Sequence, residues 1–198
     1  METVEQAKAT LVRTRVLDAV SELIATGDDV TFAKAAAAAG VPERTLYRYF
    51  PNRDALIAGL FDHVNRRIGF EGSLPTTRSE MTAMVERVFP GFDTVAPVVA
   101  ELLASPEGRR ARLFGADGRR AAALALVADA RPDLDPQAGR HLAAVVQVLG
   151  TAAVWQALHD FWDMDGAEGA AAVTTAIETL LRPPTTATST TPTSTGGT

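Results

Sequence analysis

The fourteen residues Gly40-Val41-Pro42-Glu43-Arg44-Thr45-Leu46-Tyr47-Arg48-Tyr49-Phe50-Pro51-Asn52-Arg53 constrain the fold of this chain more than any other stretch. Gly40 follows the alanine run 35–39, where a glycine supplies the left-handed conformation that ends one helix and redirects the backbone toward the next. Such a corner is the turn of a helix-turn-helix. In the short helix that follows, Leu46 and Phe50 lie four residues apart on one face and can anchor it in a core. The other face carries Arg44, Thr45, Tyr47, Arg48 and Tyr49, a set of guanidinium, hydroxyl and phenol groups suited to base edges and phosphate oxygens of double-stranded DNA. Pro51 stops the helix, and Asn52 is placed to cap the next one. The free N–H groups at that helix start, with Arg53 beside them, make a phosphate seat. The plainer alternative is that Tyr47, Tyr49 and Phe50 are the aromatic core of a helical domain.

Between Arg15 and Phe61 the chain resembles the tetracycline-repressor (TetR) family of bacterial transcriptional regulators. The resemblance rests on a first helix ending at Ala25-Thr26-Gly27, on Val30-Thr31-Phe32 opening a second, on Ala38-Ala39-Gly40-Val41, and on the run Thr45-Leu46-Tyr47-Arg48-Tyr49-Phe50-Pro51-Asn52-Arg53-Asp54-Ala55-Leu56. It implies a three-helix DNA-binding head, an all-helical body that binds an effector and dimerises, and repression relieved by a small molecule. Thr31 then matches the phosphate-contacting start of the second helix, and Thr45, Tyr47, Tyr49 and Arg53 match operator-touching positions. Three residues depart from the family's habit: Pro42 replaces a capping serine, Arg44 a common glycine, and Ala35 a larger aliphatic residue. Arg44 can compensate for the missing serine by reaching a base edge.

Hydrophobic periodicity makes the whole chain all-α. Leu17, Val20, Leu23 and Ile24 mark a first amphipathic helix within 4–26, and Leu56, Leu60, Phe61, Val64 and Ile68 mark a long helix from Asn52 to about Gly69. Further helices are expected near 77–90, 93–104, 108–130, 136–162 and 166–182, with Gly115 and Gly118 as possible breaks in the third. The expected division is a helix-turn-helix domain with its connecting helix over 1–70, a helical effector and dimerisation domain over 71–182, and a disordered tail over 183–198, which contains no charge.

Charge is divided unevenly. Residues 1–70 hold nine basic and nine acidic side chains, so the whole net charge of −5 lies in the remainder. The head must therefore use a local basic face rather than bulk attraction to bind DNA. The absence of cysteine excludes disulfides and thiol chemistry, and His63, His141 and His159 are too scattered for a zinc site, so no metal, cofactor or catalytic residue is expected. The carboxylates Asp160, Asp163, Asp165 and Glu168 are the material for an enzymatic reading, but they fall at a helix end and loop without a histidine partner. Acids in the first five residues, with no apolar run after them, point to a cytoplasmic protein, and the uncharged segment 142–158 is short for a membrane span.

In the body, Phe89, Phe92, Leu103, Phe114, Trp155, His159 and Trp162, with Leu113 and Phe161, are the candidates for lining a site for a small apolar effector. The same rings would serve equally as core. The last two helices, with Gly150 and Ala157 on one stripe and Val173, Ile177 and Leu180 on another, suit a two-fold four-helix bundle in a homodimer. A neutral head and the departures at Pro42 and Arg44 keep open a helical ligand-binding or dimerisation module that has lost DNA binding.

Overall fold

The computed structural model describes residues 4–70 and 72–184, and within them all regular structure is helical. The tail expected to be disordered lies, from Thr185 onward, outside the described residues. The helices are α1 (Val4–Ala25), α2 (Phe32–Ala39), α3 (Glu43–Tyr49), α4 (Arg53–Arg67), α5 (Arg78–Asp93), α6 (Ala96–Ala104), α7 (Pro106–Leu113), α8 (Ala116–Ala130), α9 (Pro136–Leu149), α10 (Ala152–Trp162) and α11 (Gly166–Leu180).

Two of these differ from the sequence expectation, and one settles a break that the sequence left open. Pro90 does not end α5, which runs on to Asp93. Gly91 is needed there for a close crossing: a Cβ on it would stand 2.7 Å from the Ile68 Cα at the end of α4. The segment 108–130 is interrupted at Gly115, which adopts φ 74° and separates α7 from α8. The segment 136–162 is two helices, α9 and α10, bent by 63°. No single helix among the described residues is long and apolar enough to cross a membrane.

α1 packs on α2, α4 and α6, while α4 lies against α6 and α7, so α4 touches both the first helix and the helices that follow it. Leu46, Phe50, Leu56, Ile57 and Leu60 of the N-terminal helices join Val85, Phe89, Phe92, Leu126, Trp155 and Ile177 in one continuous buried cluster. In the body α11 lies along α5, and α8 pairs with α9. Thr77 and Glu80 form a reciprocal capping box that fixes the start of α5.

Two partly buried polar ties hold elements far apart in sequence. His63 on α4 sits 2.9 Å from the Asp18 carboxylate on α1. Burial pushes its imidazole below its ordinary pKa, and the nearby Asp18 charge and hydrogen bond only partly oppose this. Asp93 accepts hydrogen bonds from Trp155 Nε1 at 3.0 Å and from the Gly166 amide at 2.8 Å, joining the end of α5 to α10 and α11.

Candidate DNA-binding interface

α2, the Gly40 corner and α3 are built as their residue types require. Thr31 caps α2 by accepting from the Lys34 amide at 3.2 Å, and Gly40 ends it at φ 63°. Arg15 reaches from α1 to donate to the Ala39 carbonyl at 2.9 Å, satisfying one of the last acceptors of α2. Ala35 is fully buried, so the small side chain lets α2 lie close to its neighbours. Pro42 is the residue before α3 rather than its first residue, with no side-chain cap of its own. Its carbonyl receives the amides of Thr45 and Leu46.

Leu46 and Phe50 are both completely buried and fix the rotation of α3. Phe50 needs Gly59 opposite it, because a Cβ at that position would come within 2.7 Å of its ring. The outward face of α3 then follows from the helical period. Arg44 is exposed and has no protein partner among the described residues. Tyr47 is 47% exposed and stacks on Phe32 with ring centroids 4.5 Å apart. Stacking on α2 holds that phenol without hiding it. Arg48 is exposed, lies 4.8 Å over the Tyr49 ring, and donates to the Tyr49 hydroxyl at 3.0 Å. Thr45 and Tyr49 are half-buried at the flanks. The plain-core alternative therefore holds fully for Phe50 and in part for Tyr49, which packs against the core, but not for the exposed Tyr47.

Asn52 caps α4 by accepting from the Ala55 amide at 2.8 Å. Arg53, the next residue, donates to the Val30 carbonyl at 3.0 Å beside the Thr31 cap. Thr31, Arg53 and the outward residues of α3 thus belong to one surface made by the starts of α2 and α4 and the length of α3. Arg13 was not singled out by sequence pattern. It lies 4.7 Å over the Phe50 ring and donates to the Tyr49 carbonyl at 3.2 Å, bracing α3 from α1. Sequence offers no signal for it beyond a cation on the first helix.

The aromatic residues of the body do not form one wall. Phe89, Phe92 and Trp155 are buried and in mutual contact, with Phe89–Phe92 centroids at 5.9 Å and Phe92–Trp155 at 5.4 Å. His159 stacks on Trp155 at 5.7 Å, and Leu103 packs partly buried against the core. Phe114 and Trp162, by contrast, are 88% and 71% exposed, and Phe161 is 82% exposed. Two surface depressions, of about 310 Å³ and 160 Å³, include none of these rings. The first is lined by Thr77, Arg78, Ser79, Asp129, Ala130 and Pro183, and the second lies between α8 and α9. Ring contacts make the buried set a packed column, set apart from the exposed Phe114 and Trp162.

Two of the four carboxylates considered for catalysis sit at helix ends. Asp165 caps α11 by accepting from the Glu168 amide at 2.8 Å, and Asp163 takes the left-handed position that ends α10. Among the described residues no group of acidic and histidine side chains is placed to hold a metal ion.

A glycine-cornered helix pair presenting arginine, threonine and tyrosine outward, on an all-helical body, defines the class of helix-turn-helix DNA-binding regulators. Residues 16–60 match the family model of bacterial regulatory proteins of the tetR family. Residues 16–60 therefore form a helix-turn-helix DNA-binding domain of the tetR-family type. The fold is similar to that of a crystal structure described as a TetR-family transcriptional regulator from Rhodococcus sp. That chain is 20% identical, with a TM-score of 0.59 over 86% of this chain and 98% of the other. Among curated proteins none matches significantly.

Proposed function

We propose that the chain is a ligand-responsive repressor that binds a palindromic operator as a homodimer, with residues 1–70 as the DNA-binding head and 71–182 as the effector and dimerisation body. The observation that carries the DNA reading is the outward set Arg44, Tyr47 and Arg48 on a helix whose other face is locked by the buried Leu46 and Phe50. Arg44 and Arg48 are the readers of base edges, with Tyr47, Tyr49 and Thr45 beside them. Thr31 and Arg53, at two helix starts, take phosphate oxygens.

The dimer reading is supported by apolar surface that one chain leaves uncovered. Val145 and Val148 on α9 are 50% and 56% exposed, and Phe161 and Trp162 end α10 in solvent. Of the stripes picked out from sequence, Val173 and Ile177 are buried and a Cβ on Gly150 would strike Met81, whereas Ala157 is half-buried and Leu180 is exposed. The proposed self-association face is thus the outer side of α9 to α11. A two-fold pair would present two α3 helices to successive major grooves, about 34 Å apart.

An effector would act by favouring one arrangement of α4 against α6 and α7. Its differential affinity sets the limit, typically about 1–3 kcal/mol of coupling and so about a 5- to 150-fold loss of DNA affinity. The Phe92–Trp155–His159 column is the proposed place for a small apolar effector to enter, by displacing ring contacts worth about 0.5–1.5 kcal/mol each.

The test is binding to the DNA upstream of the chain's own gene, measured against salt, followed by a thermal-shift screen of small apolar compounds. A specific regulator binds there in the nanomolar range with a steep salt dependence. Micromolar, sequence-indifferent binding would refute the repressor reading.

A further inference from the structure

Arg53 is held from three sides. Besides the Val30 carbonyl at Nη1, its Nη2 lies 3.8 Å from Glu101 Oε1 on α6 and its Nε lies 3.7 Å from Glu107 Oε1 on α7. Arg110 on α7 closes the knot, 3.6 Å from Glu107 and 2.5 Å from the Asp54 carboxylate on α4. Two arginines thus face three carboxylates, which leaves the knot one negative charge in excess. The phosphate seat at the start of α4 therefore has its cation already shared with two acids of the body.

We propose that Glu101 and Glu107 set the DNA affinity of the head by competing with backbone phosphate for Arg53. The inference rests on the phosphate role proposed for Arg53. A phosphate oxygen at that guanidinium would stand next to both carboxylates, and like charges raise one another's energy. At 3.7–3.8 Å the two pairs are ion pairs without hydrogen-bond geometry, so Arg53 can exchange partners easily. The Val30 bond is different: it stays within the head and keeps the guanidinium beside the Thr31 cap whichever anion it faces. Because the acids are carried on α6 and α7, the distance from the body to α4 sets how much of the Arg53 charge DNA can use. Asp54 and Arg110 keep α4 docked on α7 without the two glutamates.

The experiment is a charge-removal cycle read by fluorescence anisotropy on a labelled mixed-sequence DNA duplex at low salt. It compares the parent, Glu101→Gln/Glu107→Gln, Arg53→Ala, the triple variant, and Asp129→Asn on α8 as a charge control outside the knot. The double variant should bind about 2- to 20-fold more tightly than the parent, the range of two exposed ion pairs. The gain should shrink to the size of the charge control in the Arg53→Ala background. Replacing Arg53 should also lower the salt slope by about 1 in the double variant and by less in the parent. An equal gain with and without Arg53, or no gain, overturns the competition while leaving the phosphate role standing if Arg53→Ala still weakens the parent. If Arg53→Ala leaves the parent unchanged, the phosphate role itself falls. Should the double variant melt early, Glu107→Gln alone repeats the comparison.

Discussion

The head and the body use their aromatic side chains in opposite ways. In the head, Tyr47 and Tyr49 are held partly exposed by neighbours, Tyr47 on Phe32 and Tyr49 under Arg48. In the body, the aromatic candidates are either sealed together, as Phe89, Phe92 and Trp155 are, or left almost wholly in solvent, as Phe114, Phe161 and Trp162 are. A half-exposed, braced ring suits recognition of a rigid polar partner such as duplex DNA. A sealed ring suits stability, and a fully exposed ring suits burial by another surface. The short helix α3 can make the first arrangement because two side chains lock it and five remain outside. The body helices show no such clean division: α9 and α10 bury few residues and leave Val145, Val148, Phe161 and Trp162 exposed.

Phe50→Ala tests whether the two regions share one core, and it carries the largest expected effect. Losing this fully buried ring should cost about 3–5 kcal/mol. Because the buried cluster is continuous, thermal unfolding followed by circular dichroism should show one transition moved down, whereas two separate transitions would divide the regions. Next in size is the exposed aromatic pair. Phe161→Ser/Trp162→Ser should weaken self-association by at least about 2 kcal/mol in sedimentation equilibrium. Monomer melting should hardly change, and a fall in it would mean these rings serve the chain's own fold. Arg44→Ala should cost about 1–3 kcal/mol against the preferred operator and relax selectivity at one base position. Equal losses on all sequences would make Arg44 a phosphate contact.

Asn52→Ala removes the cap of α4 and should lower stability by about 1 kcal/mol in denaturant titration. The smallest effect concerns pH. Burial holds the His63 imidazole below its ordinary value of 6.5, so the unfolded chain takes up the proton first as pH falls. Stability should be complete above pH 6.5, decline below it, and level off once the folded form also titrates. His63→Gln should flatten that decline.

Much of the head was legible because its signals are local. Gly40 at a corner, Thr31 and Asn52 at helix starts, and the Leu46–Phe50 spacing each act within a few residues, and all four behave as their chemistry requires. The pairing of Arg53 with Glu101 and Glu107 was not legible, since nothing local in a sequence says which distant carboxylate a cation will meet. Pro90 misled because a proline inside a helix removes one amide without always ending it, and α5 runs through it to Asp93.

By itself the sequence determined an all-helical chain with a glycine-cornered reading head, because helix period, caps and corners are properties of neighbouring residues. Only the tertiary structure decided which apolar stripes face inward, which aromatic rings are sealed and which remain bare, and that the acids of the body reach Arg53. Those outcomes depend on how whole helices pack, and a helical stripe of valine or tryptophan is the same stripe until another surface is laid on it.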